Sequence, residues 1–193
     1  MKGFLVSVFV VLSGTAFGQD IFRLTGKIDH APQDFLTFTY YADWVSEPRE
    51  YTLTLNKDSA FLVEFPLKEI AYCDISFGEH GLHLLKIEPG DQIHLTFDND
   101  DFNNTLRVEG AGSQKWAFQL MLRQRFELDD DAERDLSQFK TPSYLRKVEE
   151  FVQTQENLLQ ESAPVLSPAF VQLQKADILG KAKLFELGYL NSQ

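Results

Sequence analysis

Three short stretches of this chain bring together side chains able to do acid–base or metal chemistry. Glu79-His80-Gly81-Leu82-His83 sets a carboxylate and two imidazoles side by side, a donor set that suits a divalent transition metal. Gly81 interrupts any helix that would stack the two imidazoles on one face, and no further convergent ligand can be identified, so the stretch is read as a turn leading into a strand. Asp98-Asn99-Asp100-Asp101-Phe102-Asn103-Asn104 offers calcium-type oxygen donors, with Glu109 at the twelfth place counted from Asp98. Phe102 occupies the fifth place, where an oxygen is needed, and Asn103 stands where the tight turn wants glycine. The expected reading is a turn whose Asp and Asn side chains cap their own backbone, with weak calcium binding at extracellular concentrations left open.

A third stretch, Glu127, Asp129, Asp130, Asp131, Glu133 and Asp135, supplies pairs of carboxylates for general acid–base work. Catalytic carboxylates need surroundings that shift their pKa, and a hydrophilic run is read instead as a solvated linker between two helices. The chain contains no G-x-S-x-G, no glycine-rich phosphate loop and no H-E-x-x-H. No catalytic, cofactor-binding or metal-ligating residue is assigned, and the expected class is non-enzymatic. The one cysteine, Cys73, lies in the alternating segment Ile70–Phe77 and reads as a buried thiol, with no cation beside it to favour the thiolate.

The elements that hold these residues divide into two halves. From Ile21 to about Glu109 apolar residues recur at every second position, which predicts about eight short strands. They run through Phe22–Ile28, Phe35–Tyr41, Tyr51–Leu55, Phe61–Phe65, the Cys73 segment, Leu82–Ile87, Gln92–Phe97 and Thr105–Val108. Glu88-Pro89-Gly90-Asp91 predicts a type II turn, and with it a local antiparallel pair between the strands on either side. The period changes at Gly110-Ala111-Gly112-Ser113. Three helices are expected beyond it: one from Ser113 to Phe126 with Ala117, Phe118, Leu120, Met121 and Leu122 forming an apolar face beside Trp116; one opening at Thr141-Pro142 with Leu145, Val148, Phe151, Val152 and Leu159 on one side; and one opening at Ser167-Pro168. Pro164 should end the second. The last carries a stripe of Val171, Ile178, Ala182, Phe185 and Tyr189, and further leucines beyond what one face needs. The fold class is thus α+β, an antiparallel β-sandwich over 19–110 followed by a three-helix segment over 111–193.

Lys2, the apolar run Phe4–Leu12 and Ala16-Phe17-Gly18 form a secretory signal over residues 1–18, cut between Gly18 and Gln19, so a periplasmic or secreted location is expected. One cysteine denies the exported domain an internal disulfide, and burial must hold it together. Seventeen Phe and 44% hydrophobic residues make a packed interior feasible. A net charge of -11, one unit more negative once Lys2 is removed, excludes nucleic acid and anionic lipid as partners, since no cluster of Lys and Arg offsets it. No cysteine follows the cleavage site to carry a lipid anchor.

The order of features, Phe22-Arg23-Leu24-Thr25-Gly26-Lys27-Ile28, Asn56-Lys57-Asp58-Ser59-Ala60-Phe61, Ile87-Glu88-Pro89-Gly90-Asp91-Gln92-Ile93-His94-Leu95 and Val108-Glu109-Gly110, resembles the N-terminal domain of exported thioredoxin-like disulfide reductases of the TlpA and ResA type. The helical half, with Ser167-Pro168-Ala169-Phe170, is similar to the linker that precedes their thioredoxin domain. That resemblance implies an accessory module for docking or substrate positioning, with the thioredoxin-like domain or another envelope protein meeting the last helix. The Trp-Cys-x-x-Cys motif of the family has no counterpart here, since Trp44 and Trp116 have no cysteine beside them, and no catalytic residue is carried over. A second expectation is a free-standing ligand- or protein-binding sandwich with Tyr40, Tyr41, Trp44 and Tyr51 as an aromatic platform. A third, a metal hydrolase built on His80 and His83, lacks the rest of a ligand set.

Overall fold

The structure is a computed structural model that describes residues 21–43, 45–126 and 141–191. The segment expected to be a signal, with its expected cleavage point, Trp44 and the acidic run at 127–135 lie outside the described residues. Eight strands are present: β1 (Ile21–Asp29), β2 (Phe35–Tyr41), β3 (Arg49–Thr54), β4 (Ala60–Pro66), β5 (Ala71–Phe77), β6 (His80–Ile87), β7 (Gln92–Asp98) and β8 (Arg107–Ala111). They form two four-stranded sheets, ordered β4-β1-β7-β8 and β3-β2-β5-β6.

Alternation builds the interior as elementary strand geometry requires. In β1, Phe22, Leu24 and Ile28 are buried while Arg23 and Lys27 face out. Inward side chains of both sheets join one hydrophobic cluster, which also takes in Cys73 and Trp116. The Phe22 and Phe38 rings, one from each sheet, stack with centroids 5.9 Å apart. Among the described residues this cluster is the largest apolar core, and strands of both sheets contribute to it.

Two expectations about strand pairing are corrected. The first sheet is mixed, because β1 and β7 run parallel with Leu24 opposite Ile93 and Ile28 opposite Phe97. The Glu88–Asp91 turn has the expected geometry, with Gly90 at φ 83° and the Asp91 N–H donating to the Glu88 carbonyl at 3.1 Å, but it does not join neighbours. It carries the chain from β6 at the edge of the second sheet to β7 in the first. Ile87 and Ile93, on either side of the turn, both enter the core that the two sheets share. The antiparallel partner of β6 is β5, and that of β7 is β8.

A β-bulge keeps β6 in phase with the core. Cys73 faces Leu85 and Ile75 faces Leu82, so His83 and Leu84 together oppose Asp74. Leu84 adopts φ 51°, and its N–H donates to Asp74 Oδ1 at 2.6 Å. The extra residue lets Leu82 and Leu85, three apart, point to the same side, as both are buried.

Among the described residues there are four α-helices where three were expected. The additional one is the single turn α1 (Phe102–Thr105) between β7 and β8, and the others are α2 (Ser113–Phe126), α3 (Thr141–Ser162) and α4 (Pro168–Asn191). A 3-10 turn at Ala163–Val165 follows α3, with Pro164 inside it as its missing N–H allows. Two positions expected to be buried are exposed. Ala117 faces out because α2 is covered on two other sides: Trp116 enters the inter-sheet core, and Phe118 and Leu122 pack with Leu159, Phe170 and Ile178. Leu145 is exposed because Tyr144 and Val148 supply the face of α3 that meets Ala182, Phe185 and Tyr189 of α4. No helix among the described residues is long and apolar enough to cross a membrane.

Candidate functional site

The edge strand β6 has outward backbone groups that its own sheet cannot pair, and α2 covers them with side chains. Trp116 Nε1 donates to the Lys86 carbonyl at 3.0 Å, and the Lys86 N–H donates to Gln119 Oε1 at 3.2 Å. Residues three apart on one helix therefore hold both backbone groups of one strand residue. Lys86 lies on the outer face of the second sheet, opposite Tyr72 of β5, yet it is only 3% exposed because α2 and α4 close over it. Its ammonium contacts Asp177 Oδ2 at 2.5 Å and Gln174 Oε1 at 2.9 Å, and lies 5.1 Å from the Tyr72 ring centroid. Burial pulls the Lys86 pKa below its ordinary value, and the Asp177 carboxylate opposes that pull. Burial beside Asp177 likewise raises the Tyr72 phenol, which donates to both Asp177 oxygens at 3.0 and 3.1 Å.

These groups border a cleft of about 210 Å³ between β6 and the helices, lined by Lys86, Gln119, Arg123, Gln174, Asp177 and Lys181 among others. The bulged Leu84 forms part of its rim. Three of these six side chains are basic and one is acidic, in a chain whose net charge is -11. Gln119 Oε1 is committed to Lys86, while Gln119 Nε2 is buried with no hydrogen-bond partner.

A second polar cluster locks the helices to the β half. Lys115 Nζ pairs with Asp91 Oδ1 at 2.6 Å and with Glu88 Oε2, both from the Pro-Gly turn. Ser167 Oγ donates to the other Glu88 oxygen and accepts the Phe170 N–H at 3.0 Å, capping α4. Asp91 Oδ2 accepts the Glu88 N–H at 2.8 Å. Gly112, at φ 93°, lies so close that an added Cβ would stand 2.3 Å from Asp91 Oδ1. Burial raises the Asp91 carboxyl, and Lys115 counteracts this.

The residues singled out in the sequence are placed apart. His80 Nε2 meets the Asn99 carbonyl at 2.9 Å and its ring stacks on Phe102, whereas His83 lies 3.6 Å from Asp74 Oδ2 and Glu79 is exposed. The Asp/Asn stretch folds as a 3-10 turn, Asn99–Asp101, running into α1. Asp98 accepts the Asp100 N–H at 3.0 Å, and Asp101 Oδ1 accepts from Asn104 at 2.7 Å. Glu109 sits in β8 opposite His94. Cys73 is fully buried, which raises its thiol pKa well above the ordinary value. Tyr40 and Tyr51 pack on Phe65, while Tyr41 turns to Asp74 on the other face at 2.9 Å, so the three tyrosines form no common platform.

Sequence reading missed one pair. The parallel register that sets Asp29 beside Asp98 brings His30, in left-handed backbone at φ 54°, within 2.8 Å of Asp98 Oδ1. Asp100 Oδ2 lies 4.0 Å away, and the three groups are close enough to share a cation. Hydrogen bonding to Asp98 raises the His30 pKa, and the same bond lowers that of Asp98. A raised imidazole pKa favours folding below its ordinary 6.5 and ceases to as pH rises through the folded value; the lowered carboxyl favours folding above its ordinary 3.8. The pair therefore acts most strongly between those two values. In an NMR titration His30 should titrate above 6.5 and move back toward it in Asp98→Asn, which keeps the acceptor for the Asp100 N–H. An unchanged His30 titration in the variant would show that the pair does not form.

No protein-family model matches this chain, and no curated protein matches its sequence.

Proposed function

We propose that the chain is an exported, non-catalytic module of a TlpA/ResA-type thioredoxin-like disulfide reductase system. It docks to the thioredoxin-like domain through the outward face of α4. On this reading residues 19–110 form a β-sandwich in the periplasm or outside the cell, and the segment from 111 onward presents the partner surface. The observation that carries the proposal is the second apolar side of α4. Ile178, Ala182, Phe185 and Tyr189 are buried, while Leu184, Leu187 and Leu190, three apart, are 69%, 56% and 63% exposed. Leucines at that spacing suit helix-in-groove docking, and covering the exposed part of each contributes about 1–2 kcal/mol. The fully buried single thiol supports a binding role over thiol exchange.

The test is binding of the purified chain to an envelope thioredoxin-like domain carrying Trp-Cys-x-x-Cys, followed by fluorescence anisotropy. A saturable complex should form, and Leu184→Asp with Leu187→Asp should weaken it at least about tenfold. A complex indifferent to the double variant removes α4 as the docking face. Robust disulfide reduction by the chain alone overturns the non-catalytic role.

A further inference from the structure

We propose that the cleft between β6 and the helices α2, α3 and α4 binds a neutral polyhydroxylated small molecule, one monosaccharide unit or a short polyol. The described residues bury six polar or charged side chains, those of Lys86, Asp91, Lys115, Gln119, Gln155 and Gln174. Asp91 and Lys115 pair with each other, and the other four all line this cleft. Polar side chains are costly to bury unless partners meet them, and here three helices each bring a glutamine to one place, 6%, 7% and 7% exposed.

The three amides are left with hydrogen-bonding capacity of a defined kind. Gln119 Oε1 accepts the Lys86 N–H and Gln174 Oε1 accepts the Lys86 ammonium, so flipping either amide would aim its NH₂ at a donor. Their oxygens are thus fixed on Lys86 and their nitrogens are turned from it. Gln119 Nε2 is buried with no partner, an unfavourable state that an acceptor oxygen of a ligand would relieve. Gln155 makes no hydrogen bond among the described residues, so its amide can both donate and accept.

The buried and half-buried charges of the wall are already committed. Lys86 pairs with Asp177 at 2.5 Å, and Arg123 has an interaction of its own. Lys181 is exposed, with its ammonium 5.7 Å from the Phe185 ring centroid. A charged ligand would lose its hydration here against partners already engaged, whereas uncharged amides suit uncharged groups. A hydroxyl accepts from the Gln119 and Gln174 nitrogens and donates to Gln155 or to Asp177, whose side chain is 38% exposed. Leu84, Leu122 and Ile178 complete the lining with apolar surface for the C–H groups of a carbon frame. The volume of about 210 Å³ equals roughly seven waters at liquid density, room for a single sugar ring. None of the outward leucines Leu184, Leu187 and Leu190 lines the cleft, so its occupancy and the docking of α4 stand or fall separately.

Titration of the isotope-labelled chain with D-glucose, D-galactose and ribitol, and with D-glucuronate as a charged counterpart, tests the site by NMR of the glutamine side-chain amides. At least one neutral probe should bind saturably with a Kd below about 5 mM and shift the Gln119 NH₂ resonances. Gln119→Glu keeps the acceptor for Lys86 but replaces the donor with a second oxygen, and should weaken that probe about tenfold. Gln155→Met has no native hydrogen bond to lose, so it tests the site in a folded protein even if Gln119→Glu does not fold, and should weaken the probe about fivefold. No saturable binding of any neutral probe, affinity unchanged in the variants, or glucuronate bound more tightly than every neutral probe would each overturn the proposal.

Discussion

Replacing Lys115 by Met should lower the unfolding free energy by about 3–5 kcal/mol, the usual consequence of removing one member of a buried ion pair. Lys115 and Asp91 are both 5% exposed, and Glu88 of the same turn shares the ammonium. Met fills the space of the lysine stem but leaves two carboxylates facing each other without a cation. For a chain of this length the melting temperature should fall by roughly 10 °C. The deficit should depend on pH in a defined direction. Burial already holds the Asp91 carboxyl above its ordinary 3.8, so without Lys115 the ionised form is penalised further as pH rises. Thermal melts of wild type and variant should therefore differ most near neutrality and converge toward pH 4. Adding Asp91→Asn to Lys115→Met should restore part of the loss, because one of the two uncompensated carboxylates disappears. A Lys115→Met melting temperature equal to wild type at neutral pH would mean that the junction is not closed as described.

Trp116→Ala should cost about 3–5 kcal/mol, at the upper end for a core aromatic. Trp116 is fully buried, belongs to the inter-sheet cluster though it comes from a helix, and supplies the donor that satisfies the Lys86 carbonyl at the sheet edge. Its removal creates a cavity and an unmet acceptor together. Trp116→Phe should retain most of the packing and lose the hydrogen bond, for a smaller loss of about 1–2 kcal/mol. Urea denaturation of the three proteins separates the two contributions. A Phe variant as damaged as the Ala variant would assign the effect to the edge hydrogen bond and not to packing.

Much of the architecture was legible because strand and helix periods are local. Phe22, Leu24 and Ile28, or Ile178, Ala182, Phe185 and Tyr189, declare their buried side through spacing alone. The Pro89-Gly90 turn was legible for the same reason, since its backbone angles follow from two residue types. Which strands the turn connects was not, because that depends on the burial of Ile87 and Ile93 in a core assembled from residues distant in sequence. The candidate cleft was hidden for a related reason. Lys86 sits between Leu85 and Ile87 and by alternation belongs in solvent, but a layer of helices covers the outer face of β5 and β6 there. His30 and Asp98 are 68 residues apart and meet only through a parallel register.

By itself the sequence determined the eight strands, the change to helix after Gly110, the acidic charge and the solitary thiol, all properties of neighbouring residues or of composition. Tertiary structure alone decided the mixed pairing of β1 with β7, the crossing of the Pro-Gly turn between sheets, and the burial of Lys86, Lys115 and Gln119. The physical reason is that periodicity records which side of an element is apolar. Whether its polar side is then covered depends on what another part of the chain brings against it, and a polar residue so covered is stable only where partners such as Asp177, Asp91 and the backbone of β6 meet it.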